Sequence, residues 1–330
     1  APIGTMTEGE ANIKLMNAVG YDVATIGNHE FDYGMERFHE LVAMAEFPYV
    51  SCNFVKNGEP VFAPYIIKEF DGVKVAFLGI STPKTITSSA PKYFQDENGN
   101  FIYGFCQDES GEALYTAVQN AIDAAVAEGA AYVIGLAHLG NEAECQPWTY
   151  ADIIANTTGI DAYLDGHSHD KDQVIMKNKD GEDVLRSACG TKLENIGYLT
   201  ISAEDGSMTC GIHKWAYDFA APELIKNDIT AEVENATAAL NEKLAQVVAT
   251  TQVDLVIKDP ATGVRIVRTA ETNLGDLCAD AYRAMSGADV AIVNGGGIRK
   301  TIKAGDITLN DILLVHPYSN AMCMIEVTGQ

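Results

Sequence analysis

Three stretches of the chain share one design, a short apolar and β-branched run that stops abruptly at a Gly or His cluster. They are YDVATIGNHE (21–30), AYVIGLAHLG (131–140) and IDAYLDGHSHD (160–170), and each is predicted to be a buried strand running into a loop. VKVAFLGIST (73–82) adds another apolar strand. Between them, ERFHELVAMAEF (36–47) and ALYTAVQNAIDAAVAEG (113–129) repeat their apolar positions at helical spacing, and Gly129 stands where a helix C-cap is expected. Alternation of strand and helix predicts an α/β layer structure.

The remaining segments set the expected boundaries. Ala1–Thr5 reads as the middle of a loop, and the polar stretch from Pro83 to Ser110, with its D-E-N-G-N turn, as a surface excursion. From Asp183 onward, strand-like runs (VLRSACG, NIGYLTIS, MTCGIHKWAY) separated by turn residues predict a mixed sheet that closes a first domain near Phe219. Residues 222–248 form a Pro-started amphipathic pattern suited to a helix joining two bodies. A second α/β unit follows, ending in a strand over MCMIEVTG. The expected organisation is therefore 1–219, a linker helix at 220–248 and a second domain at 249–330. A length of 330 residues suits two cores better than one.

Charge narrows the partners. The chain carries 22 Lys and Arg against 46 Asp and Glu, a formal charge of −24, which repels nucleic acid polymers and anionic membranes at long range. A small anionic substrate remains open, because a metal ion or a few Arg side chains reverse the sign inside one cleft. No apolar run approaches the roughly 18 residues that a membrane-spanning helix needs. Seven cysteines without C-x-x-C spacing show neither a zinc ribbon nor a redox motif and are expected to be mostly buried free thiols.

The candidate chemistry lies where the predicted strands end. His29, His138, His167 and His169, with Asn28, each follow a buried strand, and loops at the carboxyl ends of strands in one sheet converge on a shared crevice. Neutral imidazoles with an amide oxygen suit a divalent transition metal better than a nucleophilic triad. Taken singly, each histidine is as compatible with a structural or surface role. Asp32, three residues after His29, is placed either to hold one ring nitrogen of that imidazole or to open the following helix.

GNHEFDYG, AHLG and DGHSHD, in this order, resemble the later motifs of calcineurin-like metallophosphoesterases. Downstream, ETNLGDL (271–277), VNGGGIR (293–299) and HPYSN (316–320) resemble the C-terminal domain of the 5'-nucleotidase and UDP-sugar hydrolase family, so the resemblance covers nearly the whole chain. It implies a metallophosphoesterase-type β-sandwich flanked by helices, then a partial second α/β domain that binds substrate. Carried over, it makes Asn28, His138 and His167 ligands of one metal and His169 a ligand of another. His29, held by Asp32, becomes the catalytic histidine. Arg268, Asn294, Gly296 and Arg299 become substrate contacts, with Tyr318 stacking on the nucleobase; otherwise NGGGIR is a tight turn with a solvated Arg and Tyr318 a lone surface ring.

The implied activity is hydrolysis of nucleoside 5'-monophosphates, and of nucleotide sugars, by an extracytoplasmic enzyme using two divalent ions (Mn, Zn or Co). The family's opening Asp-x-His and Gly-Asp motifs have no match in this sequence. The resemblance therefore implies a fragment that begins after them and stops short of a second stacking aromatic, with little or no activity of its own. Two other readings stay open: a 2',3'-cyclic phosphodiesterase or 3'-nucleotidase on the same scaffold, and a non-catalytic surface-binding protein.

Overall fold

The structure is a computed structural model describing residues 2–214, 228–318, 320 and 322–328. Its chain divides into one unit of Val19–Ile225 and another built from Ala1–Ala18 with Lys226–Gln330. The expected boundary at 219 and the first residues of the expected joining helix lie outside the described residues. The start of the chain differs from the expected loop. It forms two helices, α1 (Pro2–Met6) and α2 (Glu10–Val19), and α1 packs beside helices of the later segment. Pro2 stands in the first turn of α1, where its missing N–H is no loss. That packing is why residues 1–18 group with the later segment and not with the 1–219 domain.

Within Val19–Ile225 the main layer is a six-stranded mixed sheet. In addition to a two-residue parallel pair, β1 (Ala24–Thr25) with β2 (Tyr49–Val50), the strands are β3 (Tyr65–Phe70), β4 (Val73–Ser81), β5 (Tyr132–His138), β6 (Ala162–Leu164), β7 (Lys171–Lys177) and β8 (Asp183–Cys189). Their order is β7-β8-β6-β5-β4-β3, with β4, β5, β6 and β8 parallel to one another and both edges antiparallel. One face is covered by α4 (Glu112–Ala127) and α5 (Tyr150–Asn156), which follow α3 (Gly34–Met44) in the chain. Leu114, Val118, Ile122 and Ala125 form the buried stripe of α4 at helical spacing, and each full burial of a large apolar side chain contributes about 1.5–3 kcal/mol. Gly129, in the left-handed region at φ 89°, ends α4 as expected, with Ala130 N–H reaching back to Ala125.

The other face of the sheet is covered by an antiparallel hairpin, β9 (Asn195–Ile201) with β10 (Met208–Lys214), through Leu199, Ile201 and Met208. This makes the unit a β-sandwich flanked by helices, although the two runs form a sheet of their own and do not extend the main one. Strand β7 carries no apolar alternation strong enough to have been predicted. The stretch 83–110 is less superficial than its polarity suggests. Phe94 and Phe105 are fully buried and pack with Phe31, and Phe105 also stacks on Phe54. The turn at Asp96–Asn100 is present, with Asp96 accepting from the N–H groups of Asn98 and Asn100.

The second unit is smaller. After α6 (Asp228–Leu244), β11 (Val247–Thr251) pairs antiparallel with β12 (Gly305–Thr308), and α7 (Asn273–Ser286) and α8 (Leu309–Val315) complete it. Its core is Leu255, Ile257, Val267, Leu274, Ile298, Ile302, Ile307 and Val315. The strand expected over MCMIEVTG is not formed: Met322–Thr328 are exposed and pair with no strand among the described residues. All seven cysteines are free, but only Cys145 and Cys278 are buried and Cys323 is exposed.

Candidate metal centre

Parallel neighbours β4, β5 and β6 end together, and their pairing puts Ser81 beside His138. Close packing at this end depends on two glycines. A Cβ on Gly79 would lie 2.0 Å from the Val50 carbonyl oxygen, so only Gly lets β2 approach the sheet here. A Cβ on Gly27 would lie 2.7 Å from Cε1 of His138, so the imidazole rests directly on bare backbone.

After Gly27 the chain makes a 3-10 turn, Asn28–Phe31, and this turn sorts its side chains by direction. Glu30, whose carboxyl is pushed up by burial, accepts from the Gly27 N–H at 2.7 Å, and Phe31 is buried in the aromatic cluster. Asn28 consequently points inward and is buried, whereas the His29 side chain remains 62% exposed. Asp32 Oδ2 lies 2.9 Å from Nδ1 of His29, the arrangement expected from the three-residue spacing. That hydrogen bond is the main cause of the raised pKa of His29, which burial partly opposes.

Three donor atoms meet above the strand ends. Asn28 Oδ1 is 2.9 Å from His138 Nε2 and 3.2 Å from His167 Nδ1, and the two ring nitrogens are 3.2 Å apart. Burial, reinforced by the neighbouring His167, His29 and His169, pushes His138 down to about 3, and burial also lowers His167. Both rings are therefore neutral near pH 7, the form in which imidazole is a ligand. An oxygen and two nitrogens aiming lone pairs at one point repel unless a proton or cation lies between them. Ligands about 2.1 Å from one ion at right angles are about 3.0 Å apart, so the observed edges fit a divalent transition metal.

If His167 presents a lone pair at Nδ1, its proton is on Nε2, which is buried and has no hydrogen-bond partner. The nearest carboxylate to it is Glu142, at 4.0 Å. Glu142, Cys145 and His167 hold one ligand atom each within 4.8 Å of one another, a grouping the sequence reading did not single out. His169, expected at a second metal, follows on the same loop with an exposed side chain. Among the described residues its ring makes no hydrogen bond to the other three. Both His167 (φ 84°) and His169 (φ 60°) lie in the left-handed region, where non-glycine residues are uncommon.

The expected substrate residues lie in the second unit, around the turn Gly295–Gly297. Asn294 Oδ1 accepts from the Gly296 N–H at 3.0 Å, Arg299 Nη1 donates to the Gly296 carbonyl at 3.1 Å, and Arg268 Nη2 lies 3.0 Å from where a Gly296 Cβ would stand. Four of the five expected residues thus gather at one turn. A Cβ on Gly295 would lie 2.1 Å from the Val267 carbonyl oxygen, which accounts for a second glycine. The cavity of about 130 Å³ behind the turn, lined by Val267, Glu271, Asp276 and Gly295 among others, is too small for a nucleoside. The outer face carries exposed Arg268 and Arg299, and Tyr318, 48% exposed, follows α8.

Residues 5–180, more than half of the chain, match the family model described as bacterial capsule synthesis protein PGA_cap, and residues 247–330 match 5'-nucleotidase, C-terminal domain. The chain is similar to endonuclease YhcR of Bacillus subtilis (27% identity over 100% of this chain and 27% of the relative). It is also similar to a 5'-nucleotidase of Vibrio parahaemolyticus (26% identity, over 100% of this chain and 63% of the relative). Among solved structures, a 5'-nucleotidase precursor from Thermus thermophilus superposes with a TM-score of 0.69 at 26% identity, covering 96% of this chain and 62% of the other. The chain therefore spans about a quarter of one relative and under two thirds of the others.

Proposed function

The chain belongs to the PGA_cap family through residues 5–180 and to the 5'-nucleotidase family through the domain at 247–330, and on that premise we propose that it serves metal-dependent hydrolysis of nucleoside 5'-monophosphates. The observation that carries this reading is the donor triangle of Asn28, His138 and His167, with edges of 2.9–3.2 Å. These residues would hold one divalent ion, and His169 a second. Bound ions of this kind supply positive charge to phosphoryl oxygens and a hydroxide nucleophile near neutral pH.

The protein's own groups do the rest. His29 stands outside the triangle and takes a proton more readily than an ordinary imidazole because Asp32 accepts from it. In that form it donates to negative charge developing on the transferring group or the leaving oxygen. Arg268, Asn294, Gly296 and Arg299 form the proposed nucleotide-binding set, with Tyr318 stacking on the base. Nucleotide sugars are the further substrates of this reading, and the ions are Mn²⁺, Zn²⁺ or Co²⁺. An extracytoplasmic location goes with the same family, and among the described residues no helix is long and apolar enough to cross a membrane.

The test is hydrolysis by the whole protein of a 5'-nucleotide, a 3'-nucleotide, a 2',3'-cyclic nucleotide, a nucleotide sugar and a polynucleotide, read as free phosphate for the monophosphates and by chromatography of the products for the others, with each metal and after chelation. The expected result is preference for the 5'-monophosphate, lost on chelation and restored by metal. Because residues 1–27, ahead of Asn28, contain neither Asp-x-His nor Gly-Asp, the 330 residues alone are expected to turn over weakly or not at all. Preference for the polynucleotide, or turnover unaffected by chelation, would overturn the proposal.

A further inference from the structure

The loops that carry His138 and His167 leave the ends of β5 and β6, neighbouring strands whose backbones no longer pair beyond Leu164. A buried ion pair continues the connection. Asp165 stands one residue past β6 with a fully buried side chain, and its Oδ1 accepts from the N–H of Leu139 at 2.9 Å. Gly140 N–H lies 3.3–3.4 Å from both of its oxygens. One carboxylate thereby ties the two residues after His138 to the residue two before His167.

Arg186, on the adjacent strand β8, holds that carboxylate in place. Its guanidinium is fully buried and donates to Asp165 Oδ2 from Nε at 3.3 Å and from Nη2 at 2.9 Å. It also pairs with Asp170 at 3.4 Å and with Asp172, and lies 4.1 Å above the Tyr150 ring. Asp170 accepts from Ser168 Oγ at 2.6 Å, so the cation grips both ends of the loop that holds His167 and His169 in their left-handed conformations. Tyr150 N–H in turn donates to the Gly140 carbonyl at 3.1 Å, closing the ring of contacts around the His138 loop.

The structure assigns Asp165 and Arg186 as positioning residues that set the spacing of His138 and His167 within the triangle they form with Asn28. The assignment rests on the proposed metal-binding role of that triangle. Neither residue touches the donor atoms; each acts through the backbone that carries them. Supporting residues of a metal site typically change its affinity about 10- to 100-fold.

The test uses the full chain with Asp165→Asn, which removes the charge and sets an amide N–H₂ against either the guanidinium or the backbone N–H groups, and with Arg186→Lys, which keeps the charge but not the fork. Two readouts are taken: histidine ring ¹H–¹⁵N correlations of the metal-free protein, and Mn²⁺ affinity by titration. Ile154→Val, a core change in α5, serves as a control for lowered stability. The expected result is altered tautomer signals for His138 and His167 with those of His39 and His213 unchanged, and Mn²⁺ affinity lower by about 10- to 100-fold in both variants but not in the control. Should Asp165→Asn fail to fold, the same two readouts on Arg186→Lys decide the matter. A folded variant with unchanged ring signals and Mn²⁺ affinity within about twofold of the parent would overturn the assignment. If the parent binds no Mn²⁺, the metal reading fails by itself, and the ring signals still decide whether Asp165 and Arg186 position the rings.

Discussion

His138 Nε2 and Asn28 Oδ1 lie 2.9 Å apart although 110 residues separate them in the chain. The contact closes because Gly27 lets the imidazole rest on backbone and because the 3-10 turn directs Asn28 inward. Asn28→Ala removes the one oxygen in the triangle and leaves two facing ring nitrogens. Mn²⁺ affinity is expected to fall by at least about tenfold, with a stability loss of about 1–3 kcal/mol from the polar groups left unpaired. Mn²⁺ titration and urea unfolding of the metal-free form measure the two effects separately, and an unchanged affinity would remove Asn28 from the ligand set.

His29 makes a different prediction, because its ring is exposed and outside the triangle. His29→Ala is expected to lower kcat by about 10²- to 10⁴-fold with metal content unchanged. Asp32→Asn removes the main cause of the raised pKa. If His29 acts as a proton donor, activity is lost as pH rises through its pKa, so the alkaline limb of the kcat/KM profile should move to lower pH in Asp32→Asn. A limb that stays in place would show that His29 is not that donor.

The metal-free protein should lose stability in acid partly through His138. Its folded pKa of about 3 lies below the ordinary 6.5, so between those values the unfolded chain binds the extra proton. The contribution is complete above about 6.5 and shrinks as pH falls toward about 3. His29 has the opposite sign, its contribution being present below 6.5 and lost as pH rises through the raised value, but its exposure keeps that term small. Unfolding free energies at several pH values should therefore fall less steeply in His138→Gln than in the parent. Parallel curves would mean that His138 is not held neutral by burial.

The sequence marks strand ends strongly, since apolar runs stop at GNHE, AHLG and DGHSHD; the six-stranded sheet brings the last two ends together, whereas the strand before GNHE, expected in the same sheet, belongs to the separate pair of β1 with β2. Periodicity likewise exposed α3, α4 and the strands β4 and β5. It could not expose the clamp of Asp165 and Arg186, since those residues meet through sheet order and not through spacing along the chain. The same reason hid the burial of Phe94 and Phe105 within a polar stretch, where long-range aromatic contacts override local polarity. At the chain's start, PIGTM was too short for a helical period to show, and in MCMIEVTG β-propensity alone did not supply a partner strand.

Gly27 carries the last prediction. With a φ of −112° it has no need of glycine's left-handed freedom, so its requirement is purely one of space. A methyl group there would stand 2.7–2.8 Å from Cε1, Nδ1 and Nε2 of His138, well inside contact distance, and the ring would have to move. Forcing an extra methyl into such packing typically costs about 1–3 kcal/mol. The displaced ring also changes the Nε2 to Asn28 distance, so Gly27→Ala is expected to lower both thermal stability and Mn²⁺ affinity. Gly20→Ala, at a positive φ but with open space around it, should lower stability and leave Mn²⁺ affinity unchanged. Calorimetry and Mn²⁺ titration of the two variants side by side check this, and equal Mn²⁺ affinity in both would show that contact with Gly27 does not set the position of His138.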